Sequence, residues 1–382
     1  MATSAIGPGF LTQTAVFTQK YGVDFAFAIL ASIILDIGAQ MNTWRVIGFT
    51  GLRGQDIGNK VLPGLGTVIA VLIVIGGLAF NIGNIAGAGL GLNVLFGINV
   101  KVMALISAII AILIFLSKNA GGAMDRVAQV LGVLMILLVI WVMFTSHPPV
   151  GKAVVASVFP SSYSALMFPM ITLVGGTVGG YITFAGGHRL VDAGITGETH
   201  LGQISKSSFS GVLITGIMRI TLFLAILGVV AAGHKLAASN PPASAFQFAL
   251  GNLGYKFFGI VLWSAAITSV IGAAYTSATF LQSFGSWFKE HQRATIIGFI
   301  VFSTLVFEFY GQPVKILVLV GSLNGLILPL TLLTMLIAAR SKRIMGETYR
   351  HPMWLYVFGI LALLVTTYAA INSLGGIGTL LR

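Results

Sequence analysis

Eleven apolar stretches, each long enough for about twenty apolar residues or nearly so, follow one another along the chain with polar connections between them. This succession constrains the fold more than any motif does, because about twenty apolar residues are what a helix needs to cross hydrocarbon. The stretches fall at roughly 1–19, 24–49, 62–95, 100–117, 124–145, 165–190, 206–232, 254–288, 294–310, 313–339 and 353–374. Composition agrees. A soluble chain carries about 25% charged residues, whereas here 8% are charged and 57% hydrophobic, with mean hydropathy +0.99. The expectation is an all-α, multi-pass membrane protein forming one transmembrane domain over 1–382, with the lipid bilayer as its principal partner.

The net charge of +12 does not point to nucleic acid, because the cations are scattered singly between apolar runs, which is the topology signal of membrane proteins. One set of loops holds Arg45, Arg53, Lys60, Lys118, Arg126, Arg189, Lys206, Lys289, Arg293, Arg340, Lys342, Arg343 and Arg350. The opposite set holds Lys20, Lys101, Lys152, Lys235, Lys256, Lys315 and Arg382. The richer side is expected to be cytoplasmic, with the N-terminus inside the cell membrane and the C-terminus outside. Cysteine is absent, which excludes disulfides and thiolate metal sites. No basic region precedes the first apolar run, so no cleavable signal peptide is expected. Only six residues precede Gly7, too few for a half-helix, and the natural chain is expected to begin earlier.

Two stretches carry interruptions. Leu173–Gly187 contains Gly175, Gly176, Gly179 and Gly180, and each glycine costs a helix about 1 kcal/mol relative to alanine. Gly7-Pro8-Gly9 interrupts the first stretch, where proline removes a backbone donor and clashes with the preceding turn. Glycines spaced by four can equally serve close helix packing. A pair of broken segments in corresponding positions of two halves points instead to a transporter's central binding site. In the third stretch Gly83, Gly87 and Gly91 read as a packing seam.

Polar residues within spans are few. Asn81 and Asn84 lie on nearly one helix face, suited either to an interhelical hydrogen bond or to the lining of a solute cavity. Asp36 and Arg219 either neutralise each other or contact loop backbone, and Glu308 belongs near a membrane interface. Thr268-Ser269 offers two hydroxyl oxygens of the kind a small hard cation takes alongside carbonyls, and Asn324 is a polar point at mid-depth. His188, Glu198 and His200 share one connection, a weak metal candidate. No paired carboxylates, His-Glu-x-x-His or Ser/His/Asp arrangement lies within the spans, so an enzyme is not expected. Nothing resembles the ringed carbonyls or carboxylates of a channel filter.

With both interruptions in hand, the chain resembles the NRAMP family, the natural resistance-associated macrophage proteins. The likeness covers the first ten helices. Its best stretches are Tyr21–Lys60 with Thr50-Gly51-Leu52-Arg53-Gly54-Gln55-Asp56-Ile57, Ala79–Ile98 with Leu92-Asn93-Val94-Leu95-Phe96-Gly97-Ile98, and Leu173–Val178. That family consists of divalent-metal transporters with a LeuT-like fold. The resemblance implies inverted repeats at about 1–145 and 165–339, an extra helix at 353–374, and breaks at the centres of helices one and six. Its metal ligands do not carry over. Where the family has Asp-Pro-Gly-Asn this chain has Gly7-Pro8-Gly9-Phe10, and where it has Met-Pro-His this chain has Gly179-Gly180-Tyr181. The family's acidic pair on the third helix is matched by Asn81 and Asn84, and its tenth-helix Gln by Asn324.

A dication at mid-membrane needs negative ligands to offset its lost hydration, whereas opened half-helices present N–H groups suited to a carboxylate. The resulting expectation is a secondary transporter, a symporter by analogy, for a small organic acid or amino-acid-like solute. Gly7, Gly9, Gly176, Gly179 and Gly180 would supply backbone contacts, Asn81, Tyr181 and Asn324 side-chain contacts, and Phe10 with Phe184 an apolar wall. NRAMP-related proteins without the metal ligands look like those encoded beside genes for opening 5-oxoproline, which makes that acid the solute the resemblance suggests. Thr268 and Ser269 align with the hydroxyl pair of the sodium site in sodium-coupled LeuT-like transporters, so sodium or a proton is the expected coupling ion, with no organic cofactor and no resident metal. The alternatives are a divalent cation as cargo, of the magnesium or manganese type, and a scaffold or sensor that does not transport. The number of subunits is not legible.

Overall fold

The computed structural model describes residues 7–117 and 120–381; residues 1–6, Lys118, Asn119 and Arg382 lie outside them. The helices are α1 (Pro8–Tyr21), α2 (Phe25–Thr50), α3 (Gly54–Val61), α4 (Leu65–Phe96), α5 (Val100–Leu116), α6 (Ala120–Thr145), α7 (Val150–Ala156) and α8 (Met167–Thr177). After them come α9 (Gly180–Asp192), α10 (Leu201–Ala231), α11 (Pro241–Leu281), α12 (Ser286–Glu290), α13 (Gln292–Tyr310), α14 (Pro313–Arg340), α15 (Lys342–Met345) and α16 (Met353–Leu381). No strand occurs among the described residues.

The continuous run Pro8–Thr50 is 43 residues long, about 65 Å at 1.5 Å per residue and twice the hydrocarbon thickness. It divides at Gly22, whose φ of 55° and ψ of −130° no helix contains. The 44-residue run Pro241–Phe284 divides in the same way at Gly251, with φ 67° and ψ −157°. Its outer piece folds back so that the Phe246 and Phe258 rings stack at 4.6 Å. The fifth crossing is bent by 107° where α6 gives way to the short α7. The crossings among the described residues are therefore α1, α2, α4, α5, α6–α7, α8–α9, α10, the inner part of α11, α13, α14 and α16, eleven in all. Periodicity gave no sign of α7 or of the Pro241–Leu250 piece. Both lie at the ends of spans, where Asn240 caps α11 by accepting from the Ala243 N–H at 3.4 Å.

Glycines set the helix spacing around the centre. Along one face of α4, Gly83 meets Leu317 and Val320 of α14, Gly87 meets the Pro8 ring, and Gly91 meets the backbone of Trp263. A Cβ at Gly87 or Gly91 would approach those neighbours to 2.2 and 2.7 Å, well inside van der Waals contact, so the seam is obligatory. The same holds between α8 and α14, where a Cβ at Gly175 would lie 1.8 Å from the Gly321 carbonyl.

One charged pair is sealed inside. Arg219 Nη2 donates to Asp36 Oδ2 at 2.7 Å, and both side chains are fully buried. Thr177 Oγ1 donates to the same carboxylate oxygen at 3.0 Å, and Arg219 Nη1 donates to Ser32 Oγ at 2.5 Å. Of the two readings the sequence allowed, mutual neutralisation is the one observed. The pair ties α2 and α10 to the last residue of α8.

Candidate functional site

The sixth crossing stops being a helix at mid-depth. The Val178 N–H still reaches Val174 O at 2.8 Å, and the Gly179 N–H doubles back to the same carbonyl at 2.7 Å. Gly179 then adopts φ −48° and ψ 162° and acts as N-cap of α9, whose ladder resumes with the Ile182 N–H on Gly179 O at 2.9 Å. Thr183 Oγ1 donates to Val178 O and clamps the break from the far side. The end of α8 leaves carbonyls without helical partners, and the start of α9 leaves N–H groups in the same condition. Breaking the helix here is inexpensive because glycines surround the joint, and a Cβ on Gly179 would lie 2.5 Å from Gly175 O.

The first crossing is described from Gly7 onward. Gly7 is the N-cap of α1, extended at φ −89° and ψ 176°, with Pro8 at the first helical position. The half-helix expected before it falls on residues 1–6, outside the described residues. α1 runs along α8 with Gln13 at the contact. Gln13 Nε2 donates to Leu317 O on α14 at 2.7 Å, and its buried Oε1 has no hydrogen-bond partner. That oxygen lies 2.7 Å from where a Cβ on Gly176 would stand.

A cavity of about 260 Å³ opens beside the first turn of α9. Trp44, Phe80 and Tyr181 give it aromatic walls, while Ser207, Ser269 and Thr276 contribute hydroxyls. Among the described residues Arg189 is its single charged lining residue, and no carboxylate, histidine or thioether lines it. The cavity runs from Tyr181, beside the break, to Arg189 and Ser207, towards the membrane face richer in Lys and Arg. The Tyr181 ring packs on Phe80 with centroids 5.6 Å apart, and its hydroxyl donates to Gly272 O at 3.4 Å.

The other candidates are dispersed. Asn81 Nδ2 donates to Ser303 Oγ on α13 at 3.1 Å, the interhelical bond that was one of its two readings. Asn324 Nδ2 donates to Gly76 O and Val320 O, each at 3.1 Å, with Oδ1 unpartnered. Gly9 lies against Leu317 O, and Gly180 against Ile327. Phe10 is not a wall of the cavity, because it is buried with Leu90, Val94 and Leu222 in the core beneath Arg219; Phe184 likewise packs on Gly54 and Phe280. Thr268 gives its hydroxyl to Ser264 O and Ala265 O of its own helix, while Ser269 alone faces the cavity, its Oγ unpartnered. His188 accepts from the Gly54 N–H at 3.0 Å and stacks on Phe280, far from any metal-binding grouping. No cluster of three His, Asp or Glu residues exists among the described residues. The sequence offered no signal for Gln13 or for the role of Arg189, which a count of loop charges records only as a topology marker.

The sequence profile of the natural resistance-associated macrophage protein-like family matches residues 1–375. The chain belongs to the NRAMP family. This NRAMP chain is 60% identical over 374 residues to the uncharacterized membrane protein YcsG of Bacillus subtilis, covering 98% of this chain and 92% of that one. In structure it is similar to the manganese transporter of Eremococcus coleocola, with TM-score 0.75 at 17% identity, covering 98% of this chain and 85% of that one. It is also similar to MhsT in complex with L-phenylalanine, with TM-score 0.68 at 15% identity, covering 97% and 96%. The fold is the LeuT-like one, and the chain is a multi-pass membrane protein of a transporter family and not an enzyme. At the break of this NRAMP chain stand Gly179, Gly180 and Tyr181, and the neighbouring cavity holds hydroxyls and a guanidinium.

Proposed function

We propose that this chain is a secondary active transporter for a small organic acid or amino-acid-like solute, bound beside the broken sixth helix. One observation carries the reading: the cavity begins at the positive end of α9 and has no anionic or thioether group in its lining among the described residues. A helix N-terminus attracts a carboxylate, whereas a divalent cargo meets only a guanidinium and neutral hydroxyls. The volume is below the roughly 300–1,000 Å³ of pockets for drug-sized ligands, which suits a solute of few heavy atoms such as 5-oxoproline. Aromatic walls at Trp44, Phe80 and Tyr181 suit a flat or cyclic body. With the N-terminus cytoplasmic, as the loop charges predict, the cavity is the inward-facing release route. Sodium or a proton supplies the coupling gradient.

Uptake into liposomes containing the purified protein tests this. Radiolabelled 5-oxoproline, proline and manganese are offered with sodium, proton or no gradients. Accumulation of an acid in a gradient-dependent way is expected. Uptake of manganese without any uptake of the acids overturns the reading.

A further inference from the structure

We propose that Arg189, together with Tyr181 and Ser269, forms the subsite that grips the carboxylate of the solute on the inner side of the break. This assignment rests on the organic-acid reading above and adds to it the group that recognises the charge. Arg189 occupies the last turn of α9, where a cation is ordinarily accounted for by the helix carbonyls or by the membrane face. Its side chain does something else. Nη2 comes within 3.3 Å of the position a Cβ on Gly272 would occupy, so the guanidinium reaches across the cavity to α11.

The Tyr181 hydroxyl arrives at the same residue, donating to Gly272 O at 3.4 Å, a long bond that a better acceptor readily displaces. Ser269 lies one turn before Gly272 on the same cavity-facing side, nine-tenths buried, with its Oγ unpartnered. Three donors of two kinds therefore line one cavity from two helices, and two of them, Arg189 and Tyr181, meet beside Gly272. The absence of a side chain at Gly272 keeps that place open.

The charge is available. Asp192, the carboxylate nearest along α9, is taken by Arg53 at 2.9 Å, and no hydrogen bond or ion pair engages the Arg189 guanidinium among the described residues. A guanidinium offers a planar fork matched to the two oxygens of a carboxylate. Phenol and serine hydroxyls add single donors from the side. Such a set holds a monocarboxylate and gives a neutral amide only its hydroxyl bonds, so this subsite sets selectivity for acids over their amides.

Isothermal titration of the full chain in detergent tests the assignment. The probes are 5-oxoproline, proline, pyruvate and benzoate, each beside its primary amide. The unaltered protein binds at least one acid in preference to its amide. Arg189→Gln weakens that acid about 30-fold, the scale of a lost charge-assisted bond, and leaves the amide unchanged, so the preference disappears. Arg189→Lys keeps the charge without the fork and falls between. Gly272→Ala, which sets a methyl 3.3 Å from Nη2, weakens the acid several-fold without altering a charge. Undiminished preference for the acid in Arg189→Gln, or in both Arg189→Lys and Gly272→Ala should Arg189→Gln fail to fold, overturns the subsite and leaves the organic-acid reading standing. If the unaltered protein binds none of the acids, the organic-acid reading fails, and the subsite with it.

Discussion

Removing Arg219 alone is expected to damage the protein far more than removing Arg219 and Asp36 together. Both side chains are fully buried and bonded at 2.7 Å, yet Asp36 Oδ1 and Arg219 Nε lack partners, so the pair is only partly satisfied. Taking away one member of such a pair leaves an uncompensated buried charge and costs about 3–5 kcal/mol, whereas an apolar replacement of both is often neutral or stabilising. An unfolding entropy of about 2.1 cal/mol/K per residue over 382 residues gives about 0.8 kcal/mol/K. Arg219→Met should therefore lower the Tm by about 4–6 °C, read from tryptophan fluorescence during heating in detergent. The double variant Asp36→Leu with Arg219→Met should melt within about 2 °C of the unaltered protein. Transport by the single variant should also fall, because Asp36 holds Thr177 at the end of α8. A double variant that melts as low as the sum of its parts, or a single variant that melts normally, refutes the reasoning.

Gly176→Ala places a Cβ 2.7 Å from Gln13 Oε1 and should cost about 1–3 kcal/mol with reduced uptake. Adding Gln13→Ala should restore much of both, since the clash is with the end of that side chain. Gly179→Ala sets a Cβ against Gly175 backbone at 2.5 Å, and liposome uptake should fall at least tenfold, about 1.4 kcal/mol of lost transition-state stabilisation. On the connection between α14 and α16, burial, with help from the nearby charges of Arg45 and Arg340, pushes His351 down to about 4, below the ordinary value of about 6.5. Asn42 spends its amide hydrogens on Gly38 O and Leu355 O, so its Oδ1 accepts from His351 Nε2 at 2.8 Å and His351 Nδ1 accepts from Tyr349 Oη at 2.8 Å. The unfolded chain therefore binds a proton that the folded one refuses between about pH 6.5 and 4. This contribution to stability is complete above pH 6.5 and declines as pH falls through that window. The Tm of His351→Asn should lose that part of its pH dependence.

Much of this was legible in the residues, and the part that was not has a common cause. Apolar run length forecast the crossings, and the cluster of glycines at 175–180 forecast the broken sixth helix, because both are local statements about backbone and solvent. The seam at Gly83, Gly87 and Gly91 was legible for the same reason, although not that it would serve three different partners in turn. Side-chain direction was not legible. Phe10 points into the core, Asn81 spends its amide on Ser303, and Thr268 bonds its own helix, each decided by which neighbour the tertiary packing brings. Arg189 shows the same limit from the other side. Its position at a helix end fits a topology marker, and only the placement of α11 across the cavity turns it into a candidate ligand.

The proposed function requires that the break in the sixth helix open on an anion-accepting cavity and not on a metal site. Anomalous difference maps test this most directly, from crystals soaked in manganese and, separately, in a brominated carboxylic acid small enough for the cavity. The prediction is a bromine peak between Tyr181 and Arg189 and no manganese peak near Gly179. A manganese peak between Gly7 and Gly179, with no bromine in the cavity, would contradict it.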